Sequence, residues 1–135
     1  MKRILESGQF ANYRNQSRLD SASMEFSNVY KSYFGKTTVF ISHRHDDLED
    51  LSGLIGFLEQ NYNVKAYIDS KDSSMPSVTS GATASKIKER IRQCNKFILL
   101  ATDGAVESKW CNWELGYGDS QKFSSKDIAI LPLKR

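Results

Sequence analysis

The chain lacks most of what would mark a stapled, membrane-borne or nucleic-acid-binding protein. It has two cysteines, Cys94 and Cys111, too few for a disulfide framework, so a reducing, cytoplasmic setting is expected. No run approaches the ~18 apolar residues of a membrane span, and the opening M-K-R-I-L-E-S-G has no apolar signal-peptide core. The 19 basic and 16 acidic residues are scattered and leave a net charge of +3, without the basic block that nucleic acid requires. G-x-x-x-x-G-K-[ST], G-x-G-x-x-G and G-x-S-x-G are all absent, which excludes the common phosphate loops and the hydrolase elbow. There are only two histidines and two prolines.

What is present is a regular alternation from Thr37 onward. V-F-I (Val39 to Ile41) is a continuous apolar run, as expected of a buried parallel strand. Leu48, Leu51, Leu54, Ile55 and Leu58 then recur at helical spacing, with Asp46 or Asp47 placed to cap the start. N-V-K-A-Y-I-D reads as a second strand, with Val64, Ala66 and Ile68 on one face. The polar stretch from Ser70 to Gly81 is a loop, long enough for a compact domain to suggest function. A helix bearing Ala84, Ile87 and Ile91 follows, then the strand K-F-I-L-L-A. The segment S-K-W-C-N-W-E-L starts another helix, which Gly116 to Gly118 are expected to end or loosen, and I-A-I-L-P-L is a fourth strand.

Strands alternating with helices across short connections imply a parallel sheet with helices on both faces. Ligands of such sheets bind beyond the C-terminal ends of the strands, which places S-H-R-H-D-D (Ser42 to Asp47) at that rim. His43 and His45 invite a metal reading, and continued strand alternation would set them on one side with Arg44 on the other. A metal site needs three or four ligands. The chain has no third histidine, and its cysteines show no ligand spacing, so no metal is expected. Trp110 and Glu114 are four apart and share a helix face, putting a carboxylate beside an indole. Cys111 has no assignable partner base and is not read as a nucleophile. Residues 1–36, rich in Ser, Asn and Arg, read as an N-terminal extension that packs loosely and holds one short helix near Phe26, Tyr30 and Tyr33.

In order, T-V-F-I-S-H-R-H-D-D, A-Y-I-D-S-K-D, R-Q-C-N-K-F-I-L-L-A-T-D and E-S-K-W-C-N-W-E-L resemble the boxes of a TIR (Toll/interleukin-1 receptor) domain over residues 37 to 133. The resemblance implies a flavodoxin-like sheet of strand order 2-1-3-4-5, with residues 37–135 as the TIR domain. Family members continue past the equivalent of I-A-I-L-P-L with another helix, strand and helix. The sequence given stops before that part of the pattern, so either a fragment or an abridged fold is expected, with one sheet edge and one flank uncovered.

The resemblance also implies a chemistry. Enzymatic TIR domains cleave the nicotinamide–ribose bond of NAD+, and many bacterial members act in antiphage defence. The carboxylate of their W-x-x-x-E maps onto Glu114, and Trp110 would pack by the substrate. Ser42, His43 and Arg44 would line the rim, while Asp69 and Lys71 would open the BB loop that gates the pocket. NAD+ is then a substrate and no cofactor is needed. The product is ADP-ribose or a cyclic isomer, the latter a signal for a downstream effector. Self-association with other TIR domains is implied as well, and a scaffold that binds TIR domains without chemistry is the alternative.

Overall fold

The computed structural model of the chain describes residues 5–15, 18, 20, 22, 37–68 and 81–134. Five strands, β1 (Leu5–Glu6), β2 (Thr37–Ser42), β3 (Val64–Tyr67), β4 (Lys96–Ala101) and β5 (Ile128–Lys134), form one sheet in the order β1-β5-β4-β2-β3. Every pairing is parallel. Among the described residues they are accompanied by the helices α1 (Leu48–Asn61), α2 (Gly81–Gln93), α3 (Asp103–Glu107) and α4 (Lys109–Lys122). Counted from β2, the strand order is the 2-1-3-4 expected from the sequence. The fifth position is taken by the N-terminal β1.

Strand alternation divides the apolar side chains between two cores. Val39, Ile41, Ala66, Ile68 and Leu100 face α1, where Leu51, Leu54 and Ile55 meet them. Phe40, Tyr67, Phe97 and Leu99 face the other helices, where Ile87, Ile91, Ala105 and Cys111 lie. The registers set Phe40 opposite both Tyr67 and Phe97. Its ring stacks on Phe97 at 5.6 Å between centroids. This is the fully buried pattern of a sheet covered on both sides.

The edge beyond β5, left without a neighbour by the sequence pattern, is paired over two residues: Leu5 with Leu133 and Glu6 with Lys134. The described residues of the N-terminal extension do not pack loosely. After β1 the chain turns at Gly8, whose φ of +84° lies in the left-handed region that glycine adopts without steric cost. There Ser7 Oγ and Gly8 N donate to the two oxygens of Asp50 at 2.6 and 2.7 Å. Phe10 is buried, and Phe10 and Tyr13 both pack against Phe57 of α1. The backbone comes so close that a Cβ on Gly53 would lie 2.6 Å from the Phe10 carbonyl oxygen, and one on Gly56 would lie 1.7 Å from that of Tyr13.

Farther on, Arg18 donates to Glu59, which also takes Lys65 at 3.2 Å and the amide of Ala66. Ala22 is fully buried, and its carbonyl accepts from Ile68 N at 3.0 Å. That bond ties the extension to the end of β3. The helix expected near Phe26, Tyr30 and Tyr33 lies outside the described residues.

Two local expectations are corrected. Asp47 precedes α1, but its side chain makes no capping bond. Its carboxylate turns inward and accepts from Thr102 Oγ1 at 2.6 Å. Nor do Gly116 and Gly118 end α4, which runs through to Lys122. Gly118 lets the helix settle on Phe97, whose ring would lie 3.0 Å from an added Cβ. Tertiary packing of this kind offsets the ~1 kcal/mol that a helical glycine costs relative to alanine.

At the opposite end of the sheet from the rim, Lys122 is buried and its Nζ donates to the Cys94 carbonyl at 2.5 Å. Burial lowers the pKa of this ammonium. Burial likewise pushes the Cys94 thiol from its usual 9.0 up to about 12, against a smaller opposing pull from Lys122. An acid whose folded pKa is raised keeps its proton while the unfolded chain loses it. Stability therefore falls as pH rises from about 9 to about 12. At a pH of about 9, iodoacetamide should label Cys94 no faster than the fold opens. Rapid labelling of the native protein would contradict this burial.

Candidate active site

The rim forms where β2 and β4 end. β2 stops at Ser42, and the chain leaves the sheet through His43 and Arg44 into a 3-10 turn, His45–Asp47. Strand alternation therefore does not continue through S-H-R-H-D-D, so it gives no ground for setting the two histidines on one side. His43 is buried, with Nδ1 3.2 Å from the carbonyl oxygen of Ile41 in its own strand. Arg44 is half exposed and its Nη2 lies 3.3 Å from Asp46. Among the described residues no three His, Cys, Asp or Glu side chains gather to hold a metal ion.

α4 supplies the other half. Ser108 caps it by accepting from Cys111 N, which fixes where its first turn starts. Cys111 and Glu114 then point into the protein, and both are 1% exposed. Ser42 Oγ donates to Glu114 Oε1 at 2.6 Å, joining residues 72 apart in sequence. The distance is that of a strong bond from hydroxyl to carboxylate. Trp110 stacks on Trp113 at 5.0 Å, and Trp113 in turn on Tyr117 at 6.5 Å. Lys88 of α2 lies 6.0 Å from the Trp113 ring and 5.5 Å from that of Tyr117. Trp110 is thus anchored one turn before the carboxylate.

Of the residues singled out in the sequence, Ser42, His43 and Arg44 stand together at the end of β2, and Ser42 meets Glu114. Asp69 and Lys71 lie outside the described residues. Sequence reasoning misses Thr102 and Gly104 and gives Asp47 only as a cap. Thr102 Oγ1 donates to Asp47 and accepts from Ala105 N at 3.2 Å, so one hydroxyl caps α3 and fastens the rim turn. The signal for it is T-D-G directly after the strand K-F-I-L-L-A, a helix-start pattern. A groove of about 520 Å³ between α4 and β5, with Leu115, Phe123, Ile128 and Ile130 in its walls, holds none of the expected site residues.

A parallel sheet flanked by helices, with a buried carboxylate held at its strand ends, defines an α/β domain whose candidate site lies at the rim. The chain belongs to the TIR domain family, whose model matches residues 39–135. It is also 30% identical over 109 residues to "Probable 3' cyclic ADP-D-ribose synthase ThsB'" of Bacillus cereus (strain MSX-D12). That alignment covers 78% of this chain and 54% of the relative, so the chain spans about half the relative's length.

The Ser42–Glu114 bond carries a prediction of its own. A hydrogen bond to a charged group contributes about 1.5–3 kcal/mol. If it orients the carboxylate for reaction, Ser42→Ala should lower kcat roughly tenfold to a hundredfold with KM little changed. Steady-state kinetics check this, and a wild-type kcat in the variant would remove Ser42 from the site.

Proposed function

We propose that this domain cleaves the nicotinamide–ribose bond of NAD+, with Glu114 as the catalytic carboxylate. The observation that carries the reading is the buried Glu114 fixed by Ser42 at the strand ends. The nicotinamide of NAD+ is already cationic and leaves without protonation, so the second carboxylate of ordinary glycoside hydrolysis is dispensable. What remains is positive charge growing on the ribosyl ring. One oriented anion in a poorly solvated site stabilises that charge well. Glu114 and Ser42 are both buried, so substrate must displace what covers them.

In this reading Trp110 packs beside the substrate, and Arg44 and His43 face its ribose or diphosphate. Asp69 and Lys71 belong to the gating loop. NAD+ is consumed as substrate and no cofactor takes part. The name of the Bacillus relative favours capture of the ribosyl cation by a hydroxyl of the same molecule, giving a cyclic ADP-ribose. Such a product suits antiphage signalling in the cytoplasm through a downstream effector. Self-association with other TIR domains belongs to the same proposal, and the exposed Phe123 and Ile130 supply an apolar face for it.

The test is to resolve the products of NAD+ by chromatography and mass spectrometry at high protein concentration. Nicotinamide together with a species one water lighter than ADP-ribose is the expected result. ADP-ribose itself would keep the cleavage and reject cyclisation. Intact NAD+ would reject both.

A further inference from the structure

Arg44 leaves β2 and lies across the first turn of α3. A Cβ built on Gly104 would sit 2.2 Å from Arg44 Nη1, 2.7 Å from Cδ and 3.1 Å from Cζ. The space that a side chain at 104 would fill is thus occupied by the arginine. The turn carrying Arg44 is also clamped to the same short helix through Asp47, because Thr102, the cap of α3, donates to it at 2.6 Å. Asp47 N in turn donates to the Arg44 carbonyl at 3.0 Å, which closes the 3-10 turn. Backbone and side chain of Arg44 are therefore both referenced to α3.

We propose that Gly104 is a positioning residue for Arg44: its missing side chain sets where the guanidinium stands at the rim, and so how well the site holds the anionic part of its ligand. The inference rests on the reading of Arg44 as the diphosphate contact. The group in the way of a Cβ belongs to a flexible side chain, not to backbone. Alanine at 104 therefore moves the arginine and leaves the fold alone. Gly104 is not among the residues at positive φ, so alanine also suits the backbone and favours the helix. A merely structural glycine would behave in the opposite way, losing stability on substitution.

Calorimetric titration with ADP tests this on the full chain, since ADP carries the diphosphate and lacks the scissile bond. Four proteins are compared: wild type, Gly104→Ala, Arg44→Ala and the double variant. Breaking or misplacing a charge-assisted hydrogen bond should weaken ADP binding about tenfold in each single variant. The double variant should bind no more weakly than Arg44→Ala, because without the arginine there is nothing for residue 104 to place. The Tm of Gly104→Ala should be no lower than that of wild type, and for NAD+ turnover its KM should rise with kcat retained. Wild-type ADP affinity in Gly104→Ala, or effects that multiply in the double variant, would overturn the inference, as would failure of the wild type to bind ADP. ADP binding that follows the predicted pattern without NAD+ turnover would sink the proposed reaction and leave the role of Gly104 standing.

Discussion

Glu114→Gln should release nicotinamide from NAD+ at least about 10²–10³ times more slowly than the wild type, the loss typical when one preorganised electrostatic partner is removed. Glutamine keeps the volume and an oxygen for Ser42 Oγ, so the buried bond at 2.6 Å survives in neutral form. What disappears is the negative charge. The ribosyl ring carries much of its positive charge only in the transition state, so the loss should fall on kcat, with KM nearly unchanged. The variant should fold, with an unchanged circular dichroism spectrum, which separates lost chemistry from lost structure. Equal turnover in both proteins would mean that another group carries the reaction.

The second large effect is on stability. Gly56→Ala places a methyl group where the Tyr13 carbonyl oxygen lies 1.7 Å away, and this obstacle is backbone. Either the N-terminal segment lifts off α1 or the helix shifts. Overpacking of this kind costs about 1–3 kcal/mol and sometimes more. A Tm lower by roughly 5–10 °C is expected, together with faster tryptic cleavage after Arg14. Gly116→Ala is the matched control. An added Cβ there meets nothing within 4 Å, and alanine should be neutral or stabilising by up to about 1 kcal/mol. A Gly56→Ala protein as stable as wild type would show that the extension does not depend on this close approach.

These two sites differ in how far the sequence discloses them. Continuous runs such as V-F-I and K-F-I-L-L-A can be buried on both faces only in a covered sheet, so the parallel architecture was legible. W-C-N-W-E on a helix pointed to Glu114 through the family pattern, and the chemistry of a cationic leaving group made a single carboxylate sufficient. The serine that holds it was visible as the end of β2. Its bond spans 72 residues, a pairing no local pattern encodes.

The N-terminal strand was not legible, because two residues, Leu5 and Glu6, display no period. Gly53 and Gly56 did carry a signal. Glycines three apart on a helix mark a close backbone approach, and here the extension is what approaches. The inward turn of Asp47 was hidden for a different reason: an aspartate ahead of a helix normally caps it, and here it accepts from the distant-in-sequence Thr102 hydroxyl instead. The persistence of α4 through Gly116 and Gly118 likewise reflects packing on Phe97, which outweighs local propensity.

The most direct test of the proposed NAD+ cleavage is nicotinamide release by the wild-type chain at high concentration, followed with and without a chelator. A cationic leaving group and one carboxylate call for no metal, so steady release that EDTA leaves unchanged is the predicted result. Release abolished by EDTA would return the chemistry to His43 and His45, and no release at all would make the domain a scaffold whose buried Glu114 serves the fold.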